Sequence, residues 1–380
     1  MDLKECRQRI DAVDKELVRL FAERMQISTD VAAWKKANNM PVRDPARERA
    51  KLGQVGELAG EELRLFTEQL FSTLMNLSSA YQRRLNAGAG ELRGRLVEAM
   101  RRTDALFPER APVACQGVEG AYSQIACQRM FKRPEIMHFA TFEDVFRAVE
   151  QGLCRYGVLP MENSTAGSVN RVYDLLAQYN FTIVRSARLK VDHCLLALRG
   201  AAKGEIKEVV SHEQALAQCE GYLKAMGVKA TAVENTAVAA KIVASSGRRD
   251  LAALSSSSCA ELYDLQELES GVQDSASNFT RFICISKEPE IYPGADTTSL
   301  SMILPHEPGS LYAVLGRFYA LGVNLKKLES RPLPGSDFEF MFYFDLECSA
   351  ASPDFLEMLE DIESACARFQ YLGTYSEVAR

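Results

Sequence analysis

The sequence predicts a multidomain chain of three parts: an all-α segment over residues 1–86, a two-lobed α/β segment over 111–286, and an α+β module over 297–380, with 87–110 as linker. Three observations carry this. Leu3 to Trp34 holds one unbroken apolar helical face. Short apolar runs alternating with helical stretches begin only after Ala111. From Asp296 onward the elements read strand, helix, strand, strand, helix, strand. A chain of 380 residues is long enough for two or three such domains.

The apolar face of the first helix runs Leu3, Cys6, Ile10, Val13, Leu17, Leu20, Arg24, Ile27, Val31, Trp34. At 1.5 Å per residue this helix is about 50 Å long, more than a domain of this size covers, so the seam is expected to pack on a partner subunit. Asn38-Asn39-Met40-Pro41 stops it, and Asp44 with Pro45 starts a short second helix. Gly53, Gly56 and Gly60 lead into a third, Glu61 to Leu85. The linker opens with Ala87-Gly88-Ala89-Gly90 and contains some helix. In the α/β part, strands are expected at Val113-Ala114-Cys115, Gly157 to Pro160, Phe181 to Val184, Cys194 to Leu198 and Glu208 to Ser211. Strand character at Arg281 to Ser286 returns late, which suggests two lobes joined by crossing segments. The last module places strands at Ser299 to Leu304, Asn324 to Ser330, Phe338 to Leu346 and Phe369 to Tyr375, and helices at Ser310 to Leu321 and Asp354 to Ala367.

With 47% hydrophobic and 25% charged residues, the chain is neither disordered nor fibrous. No apolar run approaches the ~20 residues of a membrane span, and no secretory signal is visible, so a cytoplasmic protein without membrane partners is expected. The ten cysteines form no C-x-x-C pair and read as reduced core thiols; the four histidines are too scattered for a zinc set. His193 and Cys194, adjacent on an expected strand, would face opposite ways, which excludes a nucleophile pair. A net charge of −6 without a basic stripe argues against nucleic acid. Residues 1–50 nevertheless carry 11 Lys and Arg against 9 Asp and Glu, leaving −8 elsewhere, so this segment suits a small anion.

Arg24 is the one charge in the seam, and a bare guanidinium there demands an anion. Lys35, eleven residues on, lies about 20° round the same helix. Arg7 points about 100° away. Asp44, Arg47 and Glu48 cluster at the start of the second helix, and Ser78 and Gln82 share a face of the third. This set, with Pro41-Val42-Arg43-Asp44, resembles the all-helical chorismate mutase family over residues 1–86. The resemblance implies a Claisen rearrangement of chorismate to prephenate, with neither cofactor nor metal. Lys35 and Gln82 would face the breaking ether oxygen, and Glu48 would orient the ring hydroxyl. Arg7, Arg24, Asp44, Arg47 and Ser78 would bind the substrate.

Gln116-Gly117-Val118-Glu119-Gly120-Ala121-Tyr122-Ser123 follows a strand and precedes a helix, a place for an anion cradle but not for a nucleotide, since G-x-G-x-x-G and G-K-[ST] are absent. Leu159-Pro160-Met161-Glu162-Asn163-Ser164-Thr165, Ser211-His212-Glu213-Gln214 with Gln218-Cys219, and Asn278-Phe279-Thr280-Arg281-Phe282 are, in this order, similar to prephenate dehydratase. That likeness implies a periplasmic-binding-protein-like fold and a decarboxylating dehydration of prephenate to phenylpyruvate. Thr280 would be the donor to the leaving hydroxyl, Asn163, Ser211 and Gln218 would line the cleft, and Arg281 would meet a substrate carboxylate.

The C-terminal order is the ferredoxin-like plan, which says little alone. Glu307-Pro308-Gly309-Ser310-Leu311-Tyr312 and Leu328-Glu329-Ser330-Arg331-Pro332 resemble the ACT regulatory domain. This implies phenylalanine bound by Gly309, Ser310, Leu311, Glu329, Ser330, Arg331 and Pro332 between two subunits, hence a homodimer or higher homo-oligomer. Three resemblances in this order point to a bifunctional enzyme of phenylalanine biosynthesis under feedback control. The alternatives are an arogenate or prephenate dehydratase with a non-catalytic helical dimerisation domain, and a ligand-binding regulator without catalysis.

Overall fold

The computed structural model describes residues 2–86, 90–275, 277–333 and 339–378. Ala87, Gly88 and Ala89 of the expected linker and Phe338 of the expected strand lie outside them. The chain divides into two compact units: residues 1–98, 302–343 and 351–369 form one, and 99–301, 344–350 and 370–380 the other. Among the described residues, no helix is long and apolar enough to cross a membrane.

In the first unit, α1 (Leu3–Ala37) is a single helix of 35 residues. Its apolar seam is uncovered in the single chain: Ile10, Val13, Leu17, Ile27 and Trp34 are each more than half exposed. Such a stripe on a helix this long is what a partner helix buries. The second and third helices expected from the sequence are one run, α2 (Pro45–Asn86), broken at Gly60, whose φ of 73° lies outside the helical range. The second is therefore longer than the glycines at 53 and 56 suggest. The helix of the linker is α3 (Glu91–Arg102).

The second unit holds two lobes. The first packs α4 (Tyr122–Met130), α5 (Phe142–Glu150) and α6 (Asn170–Tyr179) against β1 (Pro112–Gln116), β2 (Glu135–Phe139), β3 (Tyr156–Asn163), the short β4 (Gly167–Ser168) and β5 (Thr182–Lys190). Thr141 starts α5 by accepting from the Asp144 amide at 3.1 Å. The chain then crosses to β6 (Cys194–Leu198), β7 (Glu208–His212), α7 (Glu213–Gln218), α8 (Glu220–Met226), β8 (Lys229–Val233), α9 (Thr236–Ser246), β9 (Leu251–Ser255), α10 (Ser258–Leu262) and β10 (Leu265–Glu269). It returns as β11 (Phe279–Ser286), which inserts antiparallel between β5 and β3. The second lobe's sheet runs β10-β6-β9-β7-β8. Each lobe has its own core, around Val113, Phe131 and Phe282 in one and Leu196, Val210 and Ala253 in the other. The crossing segments at 191–193, 270–275 and 277–278 thus run between the two lobes, where ligands of such folds sit.

The remaining elements are β12 (Thr297–Ile303), α11 (Ser310–Ala320), β13 (Asn324–Pro332), β14 (Phe340–Glu347), α12 (Pro353–Ala365) and β15 (Arg368–Tyr375). Their sheet runs in the order β13-β14-β12-β15 and leaves β13 at an edge. Several strands are absent from the sequence reading, β2, β4, β8 and β10 among them, and so is β16 (Glu377–Val378), which pairs in parallel with β5 and extends the first lobe's sheet.

Candidate active site

In the helical part, Arg24 turns in toward α2. Its Nη1 donates to the Leu74 carbonyl at 3.1 Å and also to Ser78 Oγ. Burial pulls the pKa of this guanidinium below its ordinary value, which marks a cation held without a facing carboxylate. A groove of about 340 Å³ lined by Leu20, Glu23, Arg24, Ile27, Ser28 and Val31 opens beside it. Gln82, one turn beyond Ser78, is buried, and its Oε1 has no hydrogen-bond partner among the described residues. Lys35 donates to the Val42 carbonyl, so the loop after α1 folds back on that helix. Glu48 is held by Arg43 at 2.8 Å, and Asp44 caps α2 by accepting from the Arg47 amide at 3.0 Å. Arg47 and Arg7 are exposed. Arg7 lies seventeen residues, about 25 Å of helix, from Arg24, so one chain does not bring it to the others.

In the two-lobed part, the structure brings Thr280, Asn163 and Gln218 into one hydrogen-bonded run. Thr280 on β11 faces Asn163 on β3 in register. Asn163 is fixed at both ends: Oδ1 accepts from the Thr165 and Ala166 amides at 3.0 and 2.9 Å, so Nδ2 is the end that donates to Thr280 Oγ1 at 2.9 Å and to Asn278 Oδ1 at 2.7 Å. Asn278 donates in turn to Gln218 Oε1 at 2.9 Å, which also meets His193 Nε2 at 3.0 Å. With its oxygen already accepting from Asn163, the Thr280 hydroxyl keeps its proton free for a third group.

Asn278 and His193 are additions to the residues read from sequence. His193 precedes β6 rather than lying on it, so the strand alternation invoked for the His193-Cys194 pair does not apply. Gln218 Oε1 can only accept, which places the imidazole proton on Nε2; Nδ1 is buried without a hydrogen-bond partner among the described residues. Burial pulls the imidazole pKa below its ordinary value, against the opposing effect of the Gln218 hydrogen bond. Below about pH 6.5 the unfolded chain therefore takes up a proton that the fold resists, and stability falls with pH until the folded pKa is passed. Replacing His193 with Asn is expected to flatten this loss relative to wild type in urea midpoints taken at about pH 7 and 5.5. An unchanged slope would mean that His193 does not titrate as described.

Three expectations need correction. Arg281 does not line the same cleft as Thr280, because neighbours on a strand point to opposite faces. It is buried and ion-paired to Glu162 and Asp345, each at 2.8 Å, with Tyr375 Oη at 3.2 Å. Its Nε and Nη1 thus face internal anions, while Nη2 is buried without a hydrogen-bond partner among the described residues. Ser211, fully buried, donates to the Leu254 carbonyl at 2.7 Å and has no hydrogen bond to the Thr280 run. In the Gly117–Ser123 loop, the Gly120 amide is already taken by Gln124 Oε1 at 2.9 Å and the Gly117 and Ala121 amides by the Phe139 and Val118 carbonyls, so these three are not free to cradle an anion.

Comparison with known proteins agrees with this division. Residues 6–83 match the model of chorismate mutase type II, and 113–290 that of prephenate dehydratase. A bifunctional chorismate mutase/prephenate dehydratase of Enterobacter agglomerans is 31% identical, the match covering 98% of this chain and 95% of that protein. Arogenate dehydratase 3 of Arabidopsis thaliana is 39% identical over 69% of this chain and 66% of its own length, so the chain spans about two thirds of that plant relative. Among solved structures, one described as a novel type of quorum quenching acylase, GqqA, superposes with a TM-score of 0.63 at 32% identity, covering 70% of this chain and 97% of that one. The prephenate dehydratase of Arthrobacter aurescens in complex with L-Phe reaches the same TM-score at 24% identity, over 70% and 89%, a likeness of fold. The fold and the matches together define an enzyme that joins a mutase segment to a dehydratase segment. The chain belongs to the family of bifunctional chorismate mutase/prephenate dehydratases.

Proposed function

We propose that residues 1–86 rearrange chorismate to prephenate, that residues 111–286, joined to them by the 87–110 linker, convert prephenate to phenylpyruvate, and that residues 297–380, an ACT module, bind phenylalanine. The observation that carries the reading is the hydrogen-bonded run from Thr280 to His193, which spans both lobes of the dehydratase part.

In the first reaction the ether C–O bond breaks as a C–C bond forms, with no proton exchanged. Arg24, Ser78, Asp44 and Arg47 hold the substrate, Arg7 enters from a second chain, Lys35 and Gln82 stabilise the charge on the ether oxygen, and Glu48 orients the ring hydroxyl. In the second, the ring carboxylate leaves as carbon dioxide, its electron pair enters the ring, and the hydroxyl departs as water after gaining a proton. The Thr280 hydroxyl donates to that leaving oxygen, and Asn163 holds Thr280 in place. The Gln218 oxygen is occupied by Asn278 and His193, which turns its amide donor toward the substrate acid. The exposed α1 seam and the open edge of β13 support a homodimer.

Purified protein supplied with chorismate is expected to yield prephenate and then phenylpyruvate; absence of turnover of both chorismate and prephenate would sink the reading. Arogenate in place of prephenate tests the plant-type preference. Phenylalanine is expected to bind the intact chain in calorimetry, between Gly309, Ser310 and Leu311 on one side and Glu329, Ser330, Arg331 and Pro332 on the other. Gly309 starts α11 with φ of 87°, so Gly309→Val strains that loop and is expected to abolish binding. Equal binding by the variant would move the effector site elsewhere.

A further inference from the structure

We propose that Arg43 is a positioning residue shared by Glu48 of the mutase site and Glu307 of the loop leading into the C-terminal effector motif, so that effector occupancy is read at the mutase through this one guanidinium.

The geometry is a three-way junction within the first unit. Arg43 Nη2 and Nε meet the two Glu48 oxygens at 2.8 and 3.4 Å, a fork-on-fork arrangement that sets the plane of the carboxylate. The remaining nitrogen, Nη1, donates to Glu307 Oε2 at 2.5 Å. Glu307 stands two residues before Gly309, and the Ser310 amide donates to its carbonyl at 3.3 Å, so its backbone belongs to the turn that opens α11. On the other side of Arg43, the Val42 carbonyl accepts from Lys35. The segment 42–43 therefore touches both a cation and a carboxylate of the mutase site while being tethered to the loop at 307. A shift of Glu307 is transmitted to Glu48 by the fork and to Lys35 by the adjoining peptide.

The strength of the link suits this role. The side chains of Arg43 and Glu307 are 40% and 45% exposed, so their pair adds little to stability. A link of that size is broken or remade within the coupling free energy typical of one ligand acting on another site. Arginine is also required by the geometry, since three nitrogens in a plane serve two carboxylates at once, whereas a lysine ammonium is a single point charge. The inference rests on the functional reading above.

The test measures kcat and KM for chorismate, and the dehydratase rate on prephenate, in the full chain with and without saturating phenylalanine. Arg43→Gln is expected to lower mutase kcat about tenfold with little change in KM, since orientation of the bound substrate is what is lost, and to leave the dehydratase rate unchanged. Arg43→Lys should recover most of that kcat yet lose the response of the mutase to phenylalanine. Glu307→Gln should lose the same response while phenylalanine still inhibits dehydration, and Arg43→Gln/Glu307→Gln should lose no more than either alone. A Glu307→Gln chain whose mutase still responds as wild type, an Arg43→Gln chain with full mutase kcat, or a wild-type mutase that ignores phenylalanine overturns the relay. A wild-type chain that turns over no chorismate overturns the functional reading beneath it, and these results are read in the same assays.

Discussion

Thr280→Ala is expected to lower dehydratase kcat/KM by about a hundredfold, on the order of 3 kcal/mol of transition-state stabilisation, while mutase activity stays at the wild-type level. The size follows from what the hydroxyl does in the cluster. Its oxygen accepts from Asn163 Nδ2 at 2.9 Å, and that amide is itself locked by two backbone donors, so the free proton of Thr280 has one direction left in which to act. Removing the methyl-bearing carbinol leaves Asn163 with Asn278 and the Phe279 carbonyl as acceptors, so the strand pairing survives and the protein should fold. Thr280→Ser, which restores the hydroxyl without the methyl, should recover most of the rate. Chorismate consumption and phenylpyruvate formation measured on the same preparations separate the two reactions. Loss of both in a folded Thr280→Ala chain would show that the sites are not separate.

How much of this was legible in the sequence depends on how local each signal is. The α1 seam, the strand-helix alternation after Ala111 and the βαββαβ order rest on periodicities of a few residues, and the elements appear where those periodicities run. The single α2 was harder, because glycines at 53 and 56 weaken a helix without ending it, and only the conformation of Gly60 breaks it. At the dehydratase cluster, Thr280 and Asn163 belong to motifs that stand out as polar residues at strand ends. The position of Arg281 was also readable, since a residue next to Thr280 on a strand must face away from it; the family likeness drew it into the cleft against that parity. His193 and Asn278 join through Gln218, and such contacts depend on how the crossing segments pass between lobes, which no local pattern encodes. The same holds for Arg43 and Glu307, 264 residues apart. The pairing of β16 with β5 is a two-residue strand, too short for any alternation to announce.

Lys35→Ala is expected to abolish measurable mutase activity, again on the order of 3 kcal/mol or more, and to spare dehydration of supplied prephenate. Lys35 is half-buried and, among the described residues, its ammonium is anchored to the Val42 carbonyl, so its charge is available to an oxygen that becomes negative as the ether bond breaks. Arg7→Ala should be equally inactive for a different reason. It is exposed on the same helix, about 25 Å from Arg24, and serves a pocket only if a second α1 lies along the uncovered seam. The two inactive chains, mixed and refolded, should then regain activity, because a mixed dimer has one pocket carrying both lesions and one carrying neither. Random pairing makes about half of the dimers mixed, so roughly a quarter of the wild-type sites should reappear. Dehydratase activity, present in both variants, reports how much chain has refolded. Subunit exchange verified by mass-labelled chains, with no mutase activity recovered, would mean that Arg7 acts within its own chain, and the pocket would have to be rebuilt without a partner's arginine.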